Sequence, residues 1–264
     1  MTPPTPPIVV KISGGLLDDD EALDAFWREV RALQSEGPVV IVHGGGAQAT
    51  AMAQRLDHEP TIVQGRRVTT DLDLDIMQWA LGGKLNTQLV AQAKHHEVTA
   101  VGISGTDAST LQVTKRPPWT VNGKQVDFGW VGDVEGVDTA LIEGLLTSGF
   151  MPIVAPLGID SDGQIYNVNA DTVAQALASA LEADRLLLVT GTGGVRRSAE
   201  AAETRLDVCD FDTYAAGLAE GWIEGGMRVK LKTAFDALEN GVEQAYILAP
   251  DDLTARSKAT RVEL

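Results

Sequence analysis

The sequence has one cysteine, Cys209, among its 264 residues, so an intrachain disulfide cannot form. This is typical of proteins from the reducing cytosol. Aromatic residues make up only 5%, so the core must be built from Val, Leu, Ile and Ala. No apolar run approaches the length of about 20 residues that a membrane-spanning helix needs. Residues 1–7 lack the basic and apolar segments of a signal peptide. We therefore predict a cytoplasmic protein with a flexible tail at residues 1–7.

Basic residues are also few. The chain has 21 Lys and Arg against 37 Asp and Glu, and its net charge is −16 at pH 7. Such a surface repels nucleic acid and anionic membranes, so neither is an expected partner. The acidity favours solubility, and it also fits a salt-rich cytoplasm in which the charges are screened. The hydrophobic share of 44% and the charged share of 22% are those of a globular protein.

Several familiar motifs are missing. Gly82-Gly83-Lys84 is followed by Leu85 and has no upstream glycine at the required position, so it is not a P-loop. The glycine run that begins at Gly191 follows a predicted strand, but Arg196 takes the place of the last glycine of a dinucleotide-binding fingerprint. The four histidines and one cysteine have no metal-ligand spacing, so no protein metal site is predicted. A GxSxG nucleophile motif is absent as well.

Short apolar, β-branched runs alternate with segments whose apolar residues recur at helical spacing. The predicted strands are at residues 8–12, 39–42, 99–103, 151–155, 165–168, 185–190 and 244–249. The predicted helices are at residues 22–33, 47–56, 72–95, 139–148, 171–181, 211–220 and 229–240. This alternation predicts an α/β fold, a three-layer αβα sandwich with a central, mostly parallel sheet.

Local signals add detail to this organisation. The turn signal Asn122-Gly123 predicts a β-hairpin within residues 110–130, and residues 61–68 predict a second hairpin or a lid. Gly82-Gly83 predicts a break in the helix at 72–95. Residues 159–163 predict a boundary between an N-lobe at about 8–158 and a C-lobe at about 159–264 that share one sheet. Ligands of such sheets bind at the carboxyl ends of strands.

Two loops that follow strands carry glycines. Lys11 precedes Gly14 and Gly15, whose backbone amides can approach an anion closely while the lysine adds positive charge. The alternative is a strand-end lysine beside a flexible turn. His43 precedes three glycines that open a helix, where the free amides and the dipole form an anion site. A tight turn explains that run equally well, and His43 is expected to be a hydrogen-bonded structural residue.

Two further segments carry polar residues at predicted helix starts. Asn167 and Asn169 alternate toward one side of a strand, and Asp171 begins the next helix. An ordinary N-cap accounts for Asp171 taken alone. Gly225-Gly226 precedes Lys230, which we place in the first turn of a helix, where the dipole disfavours a cation. A compensating anion is one explanation, and a solvated lysine is the other.

Taken together, these loops resemble the amino-acid kinase family, and most closely its members that phosphorylate N-acetylglutamate. The resemblance is carried by VVKISGGLLDD (9–19), VIVHGGGAQ (40–48), QGRRVT (64–69), WVGDVEGVD (130–138), YNVNADTVAQALA (166–178), GGMRVKLKTAFDAL (225–238) and ATRVEL (259–264). It covers the chain from about residue 8 to its end, and it implies a kinase that uses ATP with Mg²⁺ bound through the nucleotide phosphates. The implied substrate is N-acetyl-L-glutamate, phosphorylated on its γ-carboxylate at the second step of arginine biosynthesis.

The resemblance also implies residue roles. Lys11 and Lys230 flank the transferring phosphoryl group, and Asp171 holds both lysines. The substrate-binding residues are Gly45, Gly46, Arg67 and Asn167, the last two on the α-carboxylate. The nucleotide-binding residues are Gly14, Gly15, Gly44, Thr190, Gly191, Gly193, Gly194, Gly226 and Met227, and Gly14, Gly15, Gly44 and Gly45 donate backbone N–H groups to phosphate oxygens.

One segment departs from the family pattern. The family carries an Asp in the loop after the strand at 185–190, where this chain has Gly191, so an acidic contact near the nucleotide is missing. Only seven residues precede the first strand, which implies a homodimer without the arginine-controlled hexamer of some members. N-succinylglutamate, or a carrier-bound aminoadipate or glutamate, remains an alternative substrate. A non-catalytic regulator that binds an amino acid remains an alternative function.

Overall fold

The computed structural model describes residues 5–198 and 200–264. The strands are β1 Ile8–Ile12, β2 Val39–His43, β3 Ile62–Val63, β4 Arg66–Arg67, β5 Ala100–Ser104, β6 Leu111–Lys115, β7 Trp119–Val121, β8 Lys124–Val126, β9 Gly132–Val137, β10 Met151–Ala155, β11 Leu157–Ile159, β12 Ile165–Asn167, β13 Arg185–Val189, β14 Val208–Cys209, β15 Gln244–Leu248 and β16 Thr260–Val262. The α-helices are α1 Asp20–Leu33, α2 Gly46–Gln54, α3 Asp71–Met77, α4 Asn86–His95, α5 Ala140–Thr147, α6 Ala170–Ala180, α7 Phe211–Glu220 and α8 Gly225–Glu239.

The central sheet has eight strands in the order β14-β16-β15-β13-β1-β2-β10-β5. Every neighbouring pair in it is parallel except β15 with β16. Helices cover both faces, so the predicted α/β sandwich with a mostly parallel sheet is confirmed. A second sheet of four strands, in the order β12-β11-β6-β9, lies beside it. The β7–β8 pair and the β3–β4 pair are the two hairpins expected from the sequence.

Strand β1 shows how the two faces are filled. Ile8, Val10 and Ile12 belong to the core cluster that contains helix α1, whereas Val9 belongs to the cluster that contains helices α6 and α8. Successive side chains of a strand point to opposite faces, so Lys11 lies on the same face as Val9. The alternation of this one strand therefore directs the lysine toward α6 and α8.

The expected helix break at Gly82-Gly83 is wrong. Helical structure continues from α3 to α4 through a π-helical segment, Gln78–Leu85. Two glycines cost roughly 1 kcal/mol each relative to alanine in a helix, but Leu81 and Leu85 on this segment are buried in a cluster with Leu157. A wider π turn accommodates the glycines and keeps both leucines in that core.

The start of the chain differs in part from expectation. Residues 1–4 of the expected tail lie outside the described residues. Pro7 is buried, and its carbonyl accepts the Asp184 N–H at 3.0 Å, so this residue of the expected flexible tail is held against the fold. Residues 160–164 connect the antiparallel strands β11 and β12, and the division into two lobes near residues 159–163 stays a prediction. No helix among the described residues is long and apolar enough to cross a membrane.

Candidate active site

Two lysines and one aspartate meet where helices α6 and α8 face strand β1. Lys11 Nζ is 3.0 Å from Asp171 Oδ1, and Lys230 Nζ is 3.1 Å from the same oxygen. All three side chains are buried. The structure thus brings together the three residues that the sequence proposed for catalysis.

The start of helix α6 explains why the Asp171 carboxylate is available for the lysines. The N-cap of this helix is Asn169, whose side-chain oxygen accepts the backbone N–H groups of Asp171 and Thr172 at 3.0 and 3.1 Å. The interpretation of Asp171 as an ordinary N-cap is therefore wrong. Because Asn169 satisfies the free amides of the first turn, the Asp171 side chain can point across to Lys11 and Lys230.

Helix α8 begins earlier than the sequence predicted. Its first residue is Gly225, with a positive φ of 51°, so Lys230 lies in the second turn and not in the first. The argument from an unfavourable helix dipole at Lys230 is therefore wrong, because the dipole effect fades within one turn. The N-cap, Glu224, makes no side-chain capping hydrogen bond. The amides of the first turn, which includes Gly226 and Met227, are thus left without a side-chain cap.

The electrostatics of the three residues favour a bound anion. Burial lowers the pKa of Lys11 to about 8, with Lys230 adding to the effect and Asp171 opposing it. Burial alone would raise the pKa of Asp171, but the charges of Lys11 and Lys230 outweigh it and the pKa is lowered. Two lysines thus face one aspartate, and the group has one more basic than acidic side chain. A buried excess of positive charge calls for a negative partner.

The glycine loops that follow β1 and β2 lie against each other beside these lysines. A short 3₁₀ segment starts at Gly14, and a Cβ added at Gly14 would be 3.5 Å from the Gly45 nitrogen. No hydrogen bond to a backbone acceptor is seen for the amides of Gly14, Gly15 and Gly45 in the described part of the chain. The backbone here presents N–H groups of the kind that bind phosphate oxygens.

Gly44 differs from its neighbours in this loop. Its N–H donates to the Ile12 carbonyl at 3.0 Å, so the expected donation from Gly44 to a phosphate oxygen is wrong for this structure. The bond joins the ends of β1 and β2 and thereby fixes the loop. Gly44 still lines the cavity described below. The adjacent His43 is fully buried, its Nδ1 is 2.8 Å from the Gly44 oxygen, and burial lowers its pKa to about 4. A neutral His43 is thus a structural residue of this loop.

A cavity of about 420 Å³ opens beside Lys11 and Asp171. It is also lined by predicted substrate and phosphate residues, namely Gly14, Gly44, Gly45, Gly46, Arg67 and Asn167. The cavity is not lined by the other predicted site residues, which are Gly15, Lys230, Thr190, Gly191, Gly193, Gly194, Gly226 and Met227. The cavity therefore matches the expected acceptor side of the site and not the expected nucleotide side.

Arg67 is fixed at the wall of the cavity by three groups. Its Nη2 donates to Thr50 Oγ1 at 2.7 Å and to the Gly46 carbonyl at 3.3 Å, and its Nη1 lies 3.4 Å from Asp73 Oδ1. Asn167 Nδ2 donates to Thr69 Oγ1 at 3.2 Å. An arginine held in this way and a nearby amide are suited to bind a carboxylate.

The expected nucleotide loop lies at the same edge of the sheet. Strand β13 pairs in parallel with β1, with Leu188 opposite Lys11, so Thr190 and the glycines after it follow the neighbouring strand. The loop is held by its own hydroxyls: Thr192 Oγ1 is 3.2 Å from Thr190 Oγ1 and donates to the Gly194 carbonyl at 3.1 Å. Positive φ angles at Gly193 and Gly194 allow this turn.

Two cationic residues of the cavity were missed in the sequence. Arg66 and Arg116 both line it. Arg116 follows β6 and lies next to Val131, whose carbonyl accepts its backbone N–H at 2.9 Å. Neither arginine belongs to a glycine-rich loop, and the pairing that brings Arg116 to the cavity is long-range. The sequence offered one local signal for Arg66, which is that it is adjacent to Arg67. Both residues of a two-residue strand can border a single cavity.

Comparisons with known proteins bear on the family and the fold of the chain. A model of the amino acid kinase family matches residues 6–249. The acetylglutamate kinase of Anaeromyxobacter dehalogenans (strain 2CP-C) is 40% identical over 255 residues, which span 94% of each sequence. The crystal structure of smu.665 from Streptococcus mutans UA159 has a TM-score of 0.80 and 25% identity, covering 97% of this chain and 98% of that one. Giardia carbamate kinase has a TM-score of 0.68 with 12% identity, covering 98% of each chain, a likeness of fold alone.

Proposed function

The chain belongs to the amino acid kinase family, and we propose that it transfers the γ-phosphoryl group of ATP to the side-chain carboxylate of N-acetyl-L-glutamate. The observation that carries the proposal is the contact of Lys11 and Lys230 with one oxygen of Asp171, beside a cavity that Arg67 and Asn167 also line. Relatives named acetylglutamate kinase match over nine tenths or more of the chain. The reaction is the second step of arginine biosynthesis.

The residues suit the chemistry of this transfer. The nucleophile is a carboxylate, which is already ionised at neutral pH, so no general base is required. One carboxylate oxygen forms a bond to the γ-phosphorus while the bond from that phosphorus to the bridging oxygen breaks, and ADP leaves with the electron pair. Two anions must approach each other, so positioning and positive charge provide the catalysis.

We assign roles accordingly. Lys11 and Lys230 neutralise charge on the transferring group, and Asp171 holds both ammonium groups in place. The amides of Gly14, Gly15 and Gly45 donate to phosphate oxygens. Arg67 and Asn167 bind the α-carboxylate, and Gly45 and Gly46 border the acylated amino acid.

The nucleotide is assigned to the C-terminal half of the site. We propose that the loop from Thr190 through Gly191, Gly193 and Gly194 and the uncapped start of helix α8 hold ATP. Gly226 and Met227 lie in the first turn of that helix, where the helix dipole favours phosphate. The Met227 N–H donates to the Glu224 carbonyl at 3.1 Å, so the amide proposed to meet a phosphate is that of Gly226. A side chain is absent at Gly191, so backbone and hydroxyl groups must supply the polar contacts there.

Magnesium fits this site only through the nucleotide. Among residues 5–198 and 200–264 no cluster of three or more His, Cys, Asp and Glu side chains could hold a metal ion, and Asp171 already contacts two ammonium groups. Mg²⁺ commonly binds through substrate phosphates and water. When bound to ATP, it would neutralise phosphate charge.

We further propose a cytoplasmic homodimer. Leu72 and Trp79, on the helical stretch formed by α3 and the π-helical segment, are 40% and 51% exposed, and exposed large apolar side chains are typical of contact surfaces between subunits. The single cysteine, Cys209, is buried and free, as suits a reducing compartment. Analytical ultracentrifugation tests the assembly, and a monomer or a hexamer would contradict it.

A hydroxamate assay for the acyl phosphate tests the function. Purified protein is incubated with ATP, Mg²⁺ and hydroxylamine, and N-acetyl-L-glutamate is compared with free L-glutamate. We expect product with the acetylated compound and little with glutamate. The matched control is Lys232→Ala, which removes an exposed lysine two positions from Lys230. ATP binding without product from any acylated amino acid would favour a non-catalytic regulator.

A further inference from the structure

Beyond the residues assigned above, the cavity has a second cationic group, made of Arg66 and Arg116. Both side chains line the cavity that contains Lys11 and Arg67. Their guanidinium carbons lie 4.9 and 5.0 Å from the centre of one indole ring, that of Trp119. The ring therefore holds two like charges close together at the wall of a site for an anionic substrate.

The charges of this pair are only partly balanced. Arg116 donates through Nε and Nη2 to Asp133 Oδ1, at 2.9 and 2.5 Å. Within residues 5–198 and 200–264, no carboxylate lies within ion-pair distance of Arg66. Burial and the charge of Arg116 both lower the pKa of Arg66. One carboxylate beside two arginines leaves a positive charge that a ligand can neutralise.

The position of the pair identifies the part of the ligand that it meets. Arg66 directly precedes Arg67, to which the proposed function gives the α-carboxylate. The acyl group of an N-acylated glutamate branches from the carbon that bears this carboxylate. In the orientation that Arg67 sets, its far end would therefore lie within the cavity that Arg66 and Arg116 line. An acetyl group ends in a methyl and offers nothing to an arginine. A longer acyl group that ends in a carboxylate offers an ion pair.

We infer that Arg66 and Arg116 form a subsite for a third carboxylate, and that the enzyme also phosphorylates N-acylglutamates whose acyl group is a dicarboxylic acid. The inference rests on the proposed function, because it requires the acyl-glutamate orientation that Arg67 sets. The phosphoryl-transfer step is unchanged. The γ-carboxylate oxygen still attacks the γ-phosphorus, and the third carboxylate takes no part in bond making.

The test compares three substrates in the hydroxamate assay. N-succinyl-L-glutamate carries the third carboxylate, N-succinamoyl-L-glutamate has the same length with a neutral amide, and N-acetyl-L-glutamate has neither. We expect kcat/KM for the succinyl compound to exceed that for the succinamoyl compound by about tenfold or more, as for a hydrogen bond between charged groups. Equal values for the two would overturn the inference.

Variants separate the subsite from a structural role of Arg66 against Trp119. In Arg66→Gln, the ratio of kcat/KM for the succinyl compound to kcat/KM for the succinamoyl compound should fall close to one. The kcat/KM for the acetyl compound should fall much less than that for the succinyl compound. Arg66→Lys, which keeps the charge, should retain part of the ratio. Arg28→Gln removes an exposed arginine paired with Asp24 and should leave the ratio unchanged. An equal loss for all three substrates in Arg66→Gln would show a structural role and overturn the subsite.

A binding measurement keeps the two proposals distinguishable. Calorimetric titration of the wild-type protein with N-succinyl- and N-succinamoyl-L-glutamate, without ATP, should show about tenfold tighter binding of the charged ligand. Turnover of N-acetyl-L-glutamate with no succinyl preference would reject the subsite alone. Absence of hydroxamate with all three compounds would reject the proposed function, while the titration would still decide whether the arginines bind a carboxylate.

Discussion

Asp171 and Lys230 are 59 positions apart in the sequence, yet Lys230 Nζ lies 3.1 Å from Asp171 Oδ1. The contact joins the start of helix α6 to the second turn of helix α8. The carboxylate oxygen involved also receives Lys11 from strand β1. One buried carboxylate thus fixes two cations that come from opposite halves of the chain, and the predictions for catalysis start from this arrangement.

Lys230→Ala should lower kcat by about 10²- to 10³-fold, the loss typical when one group that stabilises transition-state charge is removed. The KM for both substrates should change much less, because the contact strengthens in the transition state. Steady-state kinetics by the hydroxamate assay measures both constants. Lys232→Ala, two residues along the same helix and exposed, is the matched control and should stay close to wild type. A large rise in KM with kcat unchanged would contradict the role of Lys230.

The pH dependence should reveal the charge on Lys11. Burial lowers the pKa of this lysine to about 8, so the charged form is lost as pH rises through that value. We expect kcat/KM to fall above about pH 8. The corresponding fall in kcat should occur at higher pH, because the anions bound in the enzyme–substrate complex favour the ammonium form of Lys11. Lys11→Arg stays charged, so its kcat/KM should not fall in this pH range, even if the activity of the variant is low. A kcat/KM profile that stays flat to about two pH units above this pKa would contradict the prediction.

The linked effect on stability has a definite sign. The pKa of Lys11 is about 8 in the folded protein, below the ordinary lysine value of 10.5 that applies to the unfolded chain, so between these values the unfolded chain binds more protons. The Lys11 contribution to the free energy of unfolding therefore increases from pH 8 to 10.5 and is lowest below pH 8. Asp171 acts at the acid end: its pKa is lowered, so its contribution is present above its unfolded pKa and disappears as pH falls through the folded one.

Arg67→Ala should raise the KM for N-acetyl-L-glutamate by about 10- to 100-fold, because a charge-assisted pair with the α-carboxylate is lost. The KM for ATP should change little, since the nucleotide is assigned to the other half of the site. The variant also removes the bonds to Thr50 and Gly46, so its melting temperature is measured alongside. Arg28→Ala serves as the surface control. An Arg67→Ala effect confined to ATP would contradict the assignment.

The acidic composition predicts a response to salt. With a net charge of −16, mutual repulsion of carboxylates opposes folding, and added ions screen it. We expect the melting temperature to rise between dilute buffer and about 1 M KCl, where the Debye length shrinks to about 3 Å. Thermal denaturation followed by circular dichroism measures this. A melting temperature that falls with added KCl would contradict the prediction.

Local patterns in the sequence predicted much of the site. Lys11 lies near the end of an apolar strand, glycines that can bind an anion follow it, and Asp171 lies in the first turn of a helix. These features depend on residues close in the chain, so composition and spacing are sufficient to find them. The resemblance to the amino-acid kinase family then supplied Arg67, and it also supplied the catalytic roles of Lys11, Lys230 and Asp171, which spacing alone does not assign.

The features that were missed or misplaced depend on long-range packing. Helix α8 begins at Gly225, before the predicted start at residue 229, because a glycine pair favours a loop in the sequence. In the structure, Gly225 begins the helix with a positive φ and without a side-chain cap. The π-helical segment forms because leucines on it are held in a core far away in sequence. Arg116 reaches the cavity only through the pairing of strands β6 and β9. No window of neighbouring residues contains that information.

Gly45→Ala tests how tightly the phosphate loop packs on the π-helical segment. A Cβ at position 45 would lie 2.3 Å from Leu81 Cδ2 and 2.5 Å from Leu85 Cδ1, and the backbone φ is +155°. Both leucines are buried, so they cannot move into solvent, and the clash should cost about 1–3 kcal/mol of unfolding free energy. Urea denaturation measures the loss.

Gly46→Ala is the control, because a Cβ there meets nothing within 4 Å, and its unfolding free energy should change by about 0.5 kcal/mol or less. Equal stability of the two variants would mean that the loop is not pressed against the leucines. In that case the burial of Leu81 and Leu85 would not account for the position of the Gly45 amide.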